Sequence, residues 1–169
     1  MFTYPGDGLS YQMVPGDAEE GDVFEACKTQ TYTLLELQLN NWCNYSHSHQ
    51  CSMVGAYQPS IPTGEDHGHF YGFAGYFHLW RFLQFPSSKV TLSEVEEAGR
   101  AVCAMSLAEL EEFNSGAVSA EVAEANEEYL PYYCFLTSYV TSLLVDGFGF
   151  SRSHPIAFVD EISGYKVRY

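Results

Sequence analysis

The stretch Gly68–Phe85, GHFYGFAGYFHLWRFLQF, decides how this chain is read. It mixes aromatic rings and leucines with three glycines, and it carries one cation, Arg81, and no carboxylate. A buried strand favours β-branched residues, and the stretch has none. A buried helix avoids glycine, which costs about 0.5–1 kcal/mol relative to alanine in a helix interior. Glycines between rings leave backbone that something flat can approach closely. By itself the stretch reads as a tight turn that becomes an aromatic-heavy, buried helix near Gly75, because rings dominate core packing.

On its N-terminal side the pattern is less regular. Residues 1–22 are rich in Gly, Pro and acid, and read as loop or a strand remnant. Residues 23–42 offer one apolar element with Leu34, Leu35, Leu37 and Leu39. Cys43 and Cys51 bracket the polar loop NYSHSHQ, and residues 52–67 are loop-like, with Gly55, Pro59, Pro62 and Gly64. On the C-terminal side, Ser93-Glu94-Val95-Glu96 fits a capping box, in which serine takes an orphan amide and a carboxylate reaches back. The helix after it would set Val95, Ala98, Val102 and Met105 on one face. Short acidic helical pieces follow over 107–128. Pro131 suits the first turn of a further helix and Gly147 its end, with Leu136, Val140, Leu143 and Leu144 as a core stripe between them. The tail from Ile156 reads as a hairpin turning at Ser163-Gly164.

Composition limits the function. The 169 residues suffice for one domain or one lobe, and 46% hydrophobic with 17% charged residues is a globular balance. The net charge of −15, with only seven Lys and Arg, argues against a phosphate-tracking nucleic-acid surface. No run of about eighteen apolar residues is present to span a membrane. MFTYPGDGLS lacks the basic and apolar regions of a secretory signal. Yet the five cysteines and the acceptor triplet Asn44-Tyr45-Ser46 point to an oxidising compartment, with Asn44 a glycosylation candidate. The odd cysteine count and the missing signal together lead us to expect that part of the protein lies outside this sequence. His47 with His49, and His67 with His69, form two H-x-H pairs that could bind zinc or copper, or stand as solvated loop histidines. No residue completes a known zinc pattern around them. No phosphate-cradling P-loop, no G-x-S-x-G elbow and no paired-carboxylate motif occurs, so the chain by itself holds no complete catalytic machine.

Several landmarks nevertheless fall in one order: Cys27, Cys43, CSMVGAYQP (51–59), GHFYGFAGYFHLWRFL (68–83), Cys103, EYLPYYCF (128–135), YVTSLLVDGFGF (139–150) and IAFVDEISG (156–164). This set resembles the C-terminal lobe of the GDA1/CD39 apyrases, nucleoside tri- and diphosphate phosphohydrolases. Gly68, Phe70, Phe73, Ala74, Tyr76 and Phe77 match the fifth apyrase conserved region, where alanine stands at Ala74 in place of the family's serine. The resemblance covers about residues 20–164.

The resemblance implies an α/β fold: part of an actin-like, RNase H-like lobe, with helices packed on a small mixed sheet over residues 23–169. It implies hydrolysis of terminal nucleotide phosphates with Ca²⁺ or Mg²⁺ bridging them, a carboxylate activating the water, and no covalent intermediate. In the family the phosphate loops and the base lie N-terminal to this span, and a W-x-L-G-Y segment follows the final hairpin. This chain therefore looks like a fragment supplying the nucleobase wall, with little hydrolysis of its own. It contains no metal site, and nucleoside tri- and diphosphates are its partners, not nucleic acid. The base would lie between the positions of His78 and Tyr133, and stacking is worth about 1–3 kcal/mol per base. The implied disulfides are Cys43–Cys51 and Cys103–Cys134, with Cys27 pairing upstream of Met1. Closing a loop of about thirty residues contributes roughly 3–4 kcal/mol. The implied location is the secretory lumen (Golgi) or the extracellular face, with any membrane anchor in segments outside this sequence. Two other readings stay open: a lumenal or extracellular nucleotide-binding module without catalysis, and a His-rich metal-binding protein.

Overall fold

Asp22 opens the first long helix of the computed structural model, which describes residues 2–3, 10–11, 22–37, 51–62, 69–116 and 127–166. Ahead of it, β1 (Phe2–Thr3) and β2 (Ser10–Tyr11) form a short antiparallel pair. The Asp22 side chain accepts from the Phe24 amide at 3.1 Å, so α1 (Val23–Leu34) starts on a capped orphan donor. A 3₁₀ turn at Met53–Gly55 lies beside its end, where the Val54 amide donates to the Leu35 carbonyl at 3.2 Å.

The aromatic stretch divides in two. Tyr71–Gly72 is β3, and α2 (Gly75–Phe82) follows two residues later. The helix was expected near Gly75; the strand was not, because two residues carry no periodicity to read. Next come β4 (Lys89–Thr91) and α3 (Leu92–Cys103). The capping box of α3 is Thr91 with Glu94, not the expected Ser93 box. Thr91 leaves β4 in the extended conformation a cap requires (φ −82°, ψ 155°), while Ser93 is already inside the first turn. A second box, Ser106 with Glu109, opens α4 (Leu107–Ser115) within the acidic segment. Pro131 lies in a 3₁₀ lead-in (Glu127–Tyr132) to α5 (Tyr133–Ser142), which runs on as a π-helical turn, Leu143–Gly147. Gly147 thus closes the helix as read.

The tail departs from the hairpin reading. Pro155–Phe158 forms β5, the centre of a three-stranded sheet, parallel to β3 and antiparallel to β4. Only β6 (Glu161–Ile162) and β7 (Tyr165–Lys166) pair across Ser163-Gly164. Ile156 and Phe158 are buried, so they enter the core through β5 instead of the hairpin.

The architecture is mixed α/β: five helices among the described residues on small mixed sheets. Here α5 is the hub, packing on α1, α3 and α2. Val95 and Val102 are buried with Ala98 and Met105 partly buried against the core, as the helical face of α3 demanded; Val140 and Leu144 are buried on α5. Gly99 allows the closest approach. A Cβ there would lie 2.5 Å from Thr137 Cγ2 and 2.8 Å from Phe24 Cε2, so α3 meets α5 and α1 only with glycine at that point. The Cys103–Cys134 disulfide, expected from the resemblance, fastens the end of α3 to the start of α5. No helix of the described residues is long and apolar enough to cross a membrane.

Candidate nucleobase site and its surroundings

Residues of the fifth conserved region are distributed over a strand, a turn and a helix. Gly68 lies outside the described residues. Phe70 is partly buried, edge-on to Phe150 with ring centroids 4.8 Å apart, and its carbonyl accepts from the Ala157 amide at 3.0 Å. Gly72 is buried because the Phe158 ring would lie 2.7 Å from any Cβ. Phe73 is exposed. Ala74 is the N-cap of α2 and holds φ 60°, ψ −124°, a left-handed conformation that disfavours L side chains. With no side-chain oxygen, it leaves the helix start without a side-chain cap bond. A serine there would supply one acceptor.

Beyond this turn, α2 presents two sides. Tyr76 is half-buried, and burial pushes its phenol above the usual value, with Tyr139 adding to it. It borders an apolar cavity of about 310 Å³ shared with Phe70, Gly72, Phe148, Phe150 and Phe158. Neither His78 nor Tyr133 lines this cavity. On the other side, Phe77 stacks on Trp80 (5.5 Å between centroids, 24°) and meets His78 edge-on at 6.1 Å. The Arg81 guanidinium lies 5.6 Å from the Phe77 ring centroid. His78 is exposed.

Tyr133 is 9% exposed and stacks almost parallel on Phe82, with centroids 3.6 Å apart and planes 9° apart. Phe82 follows His78 by one helical turn, so this stack ties the His78 helix to the Tyr133 helix. Burial pushes the Tyr133 phenol up, and the Arg81 charge pulls it partly back. The two residues singled out from the sequence thus sit on packed helices. Phe82, the ring beneath Tyr133, was missed; its spacing from His78 was the only signal in the sequence.

A second polar region was not legible at all. Lys28 on α1 is buried between Glu96 (3.4 Å) and Asp146 (4.0 Å). Arg100 is ion-paired with Asp22 and Glu25, and reaches Glu96 at 3.6 Å. Arg152 meets the other Glu96 oxygen at 3.0 Å. Tyr32 hydrogen-bonds Asp146; burial first, then that carboxylate, push its phenol up to about 12. These groups come from four separate parts of the chain, α1 with its cap, α3, the π-helical turn and the segment after it, and no local spacing joins them.

Among the cysteines, Cys51 is disulfide-bonded. Its expected partner Cys43 lies outside the described residues, as does Asn44. Cys27 is a free thiol here, its Sγ 3.7 Å from Cys134 Sγ, and burial pushes its pKa up. Of the paired histidines, His47, His49 and His67 lie outside the described residues, and His69 is exposed. Among the described residues no group of three or more His, Cys, Asp or Glu is placed to hold a metal ion.

The chain is 27% identical to ectonucleoside triphosphate diphosphohydrolase 1 of Bos taurus over 142 residues, covering 83% of this chain and 24% of that protein. It is 29% identical to probable apyrase 3 of Arabidopsis thaliana over 134 residues, 79% of this chain and 24% of the relative. It is 30% identical to ectonucleoside triphosphate diphosphohydrolase 8 of Gallus gallus over 127 residues, 75% of this chain and 22% of the relative. The chain thus spans about a quarter of the length of these relatives. The family model for GDA1/CD39 nucleoside phosphatases matches residues 10–169, and the chain belongs to that family.

Proposed function

We propose that this chain supplies the nucleobase-binding wall of a nucleoside tri- and diphosphate phosphohydrolase of the apyrase kind. The observation that carries the reading is the pairing of helices α2 and α5 through Phe82 and Tyr133, with His78 one turn away, inside a family match that covers most of the chain. Aromatic faces bind any base by stacking, which suits an enzyme acting on several nucleotides. His78 offers a smaller ring face for stacking than a tyrosine would.

The remaining half of the chemistry comes from elsewhere in the longer enzyme. Phosphate clamping needs free cations or convergent amides, and Lys28, Arg100 and Arg152 are already engaged by carboxylates. Ca²⁺ or Mg²⁺ bound with the nucleotide would neutralise the phosphates there, and the chain on its own has little or no hydrolytic activity. Its setting is the secretory lumen or the extracellular face, with Asn44 glycosylated and any membrane anchor outside this span. Cys103–Cys134 suits that compartment.

The test is direct. The purified chain is assayed for phosphate release from ATP and UDP with Ca²⁺ or Mg²⁺, and for nucleotide binding by calorimetry. We expect binding without turnover. Metal-dependent turnover would overturn the assignment of a base wall alone, and loss of no affinity in Tyr133→Ala and His78→Ala would overturn the wall itself. A non-catalytic nucleotide-binding module is the second reading, favoured by the same engaged cations. The full-length protein separates the two, because only the enzyme reading expects it to turn nucleotide over.

A further inference from the structure

Arg81 is the one group of the aromatic region that packing leaves unexplained. It lies on α2 three residues after His78, with its guanidinium carbon 5.6 Å from the Phe77 ring centroid. Yet its Nε is buried with no hydrogen-bond partner. The ion pairs among the described residues involve Lys28, Arg100 and Arg152, and none involves Arg81. A guanidinium has five donors and no acceptor, so what is missing here is an acceptor. Buried donors are paired in nearly all proteins, and an exception calls for a reason.

We propose that Arg81 reads the edge of the nucleobase held at His78 and Tyr133, and biases the site toward guanine. The inference rests on the base-wall reading above and deepens it. Arg81 lies over the Phe77 ring and is followed in α2 by Phe82, the ring stacked on Tyr133, so a flat ligand stacked on this wall would bring its edge, not its face, to the guanidinium. The planar fork then favours an edge with two adjacent acceptors. Guanine offers N7 and O6 in that arrangement, whereas adenine sets its N6 amino donor beside N7, where it meets another donor. Uracil's two carbonyls are separated by its ring N–H, so it too lacks two adjacent acceptors. A phosphate is the poorer occupant, because phosphate sites gather several donors or cations, and Lys28, Arg100 and Arg152 are held by carboxylates around α1 and α3.

Calorimetric titration of the purified chain with GDP, ADP, UDP, guanosine and inorganic phosphate tests this. GDP and guanosine should bind about tenfold or more tighter than their adenine counterparts. Arg81→Met should reduce GDP affinity to the ADP level and leave ADP nearly unchanged. Arg81→Lys should fail to restore the preference, since an ammonium is a point charge without the fork. Circular dichroism confirms that the variants fold. Equal binding of the three diphosphates by the parent overturns the inference, as does an Arg81→Met loss shared equally by all of them and by inorganic phosphate. If His78→Ala and Tyr133→Ala weaken binding while Arg81→Met changes nothing, the wall stands and the guanine reading falls. If the parent binds no nucleotide or nucleoside, both fall.

Discussion

The two sides of α5 hold the chain together in opposite ways. Toward α1 and α3 it packs against helices whose charges close on one another: Lys28, Arg100 and Arg152 converge on Glu96, with Asp146, Asp22 and Glu25 around them. Toward α2 it makes a ring contact, Tyr133 on Phe82, on a helix that also carries the exposed His78 and Arg81, whose Nε has no hydrogen-bond partner among the described residues. Charges that satisfy each other are structural. Rings and a donor that do not satisfy each other are available to a ligand. That contrast, and not overall charge, separates the scaffold from the proposed site in this molecule.

The largest expected effect tests the aromatic side. Phe82→Ala should cost about 3–5 kcal/mol in urea unfolding, because it removes a buried ring and uncovers Tyr133. It should also weaken nucleotide binding more than its loss of stability explains. A cost under about 1 kcal/mol would mean that the stack does not join the two helices.

On the ionic side the effect should be smaller and confined to stability. Lys28→Met leaves Glu96 and Asp146 without their buried cation, although Arg100 and Arg152 still hold Glu96. A loss of about 1.5–3 kcal/mol in thermal or urea unfolding is expected, with nucleotide affinity unchanged. A change in affinity would break the division between the two sides.

Ala74→Gly should act in the other direction. Glycine adopts φ 60° without a Cβ clash, so a gain of about 1 kcal/mol is expected by urea unfolding. A loss would show that the Ala74 methyl packs where the turn needs it.

The smallest effect is a pH dependence that belongs to neither side. The Glu94 and Glu109 carboxyls lie below their ordinary value of 4.5, held there first by the Thr91 and Ser106 hydroxyls and then by the same residues' amides. A carboxyl lowered in the fold adds stability above its unfolded value. That stability is lost as pH falls through the lowered, folded value. Glu94→Gln with Glu109→Gln should therefore flatten the acid end of the stability curve, below about pH 4.5, in thermal melts at a series of pH values. An unchanged curve would remove both capping boxes from the account.

Local rules carried the reading a fair distance. The α3 face, the Pro131 and Gly147 punctuation, and the turn at Ser163-Gly164 were all legible because they depend on neighbours within about four residues. The cap of α3 was misplaced by two residues because two S/T-x-x-E patterns overlap, and only the end of β4 selects between them. The role of β5 could not be read, since Ile156-Ala157-Phe158 fits a hairpin as well as a central strand. The nucleobase positions came from ordered landmarks in the family pattern and not from any periodicity.

By itself, then, the sequence determined the family, the helices and most of their ends, because these follow from residue order and short-range hydrogen bonding. Only the tertiary structure decided which charges are spent and which are free. Glu96 lies 68 residues from Lys28 and 56 from Arg152, and no spacing rule joins them. Among the described residues Arg81 has no ion-pair partner for the same reason: whether a cation finds a carboxylate is settled by packing across the core, and in the linear sequence every Arg looks alike.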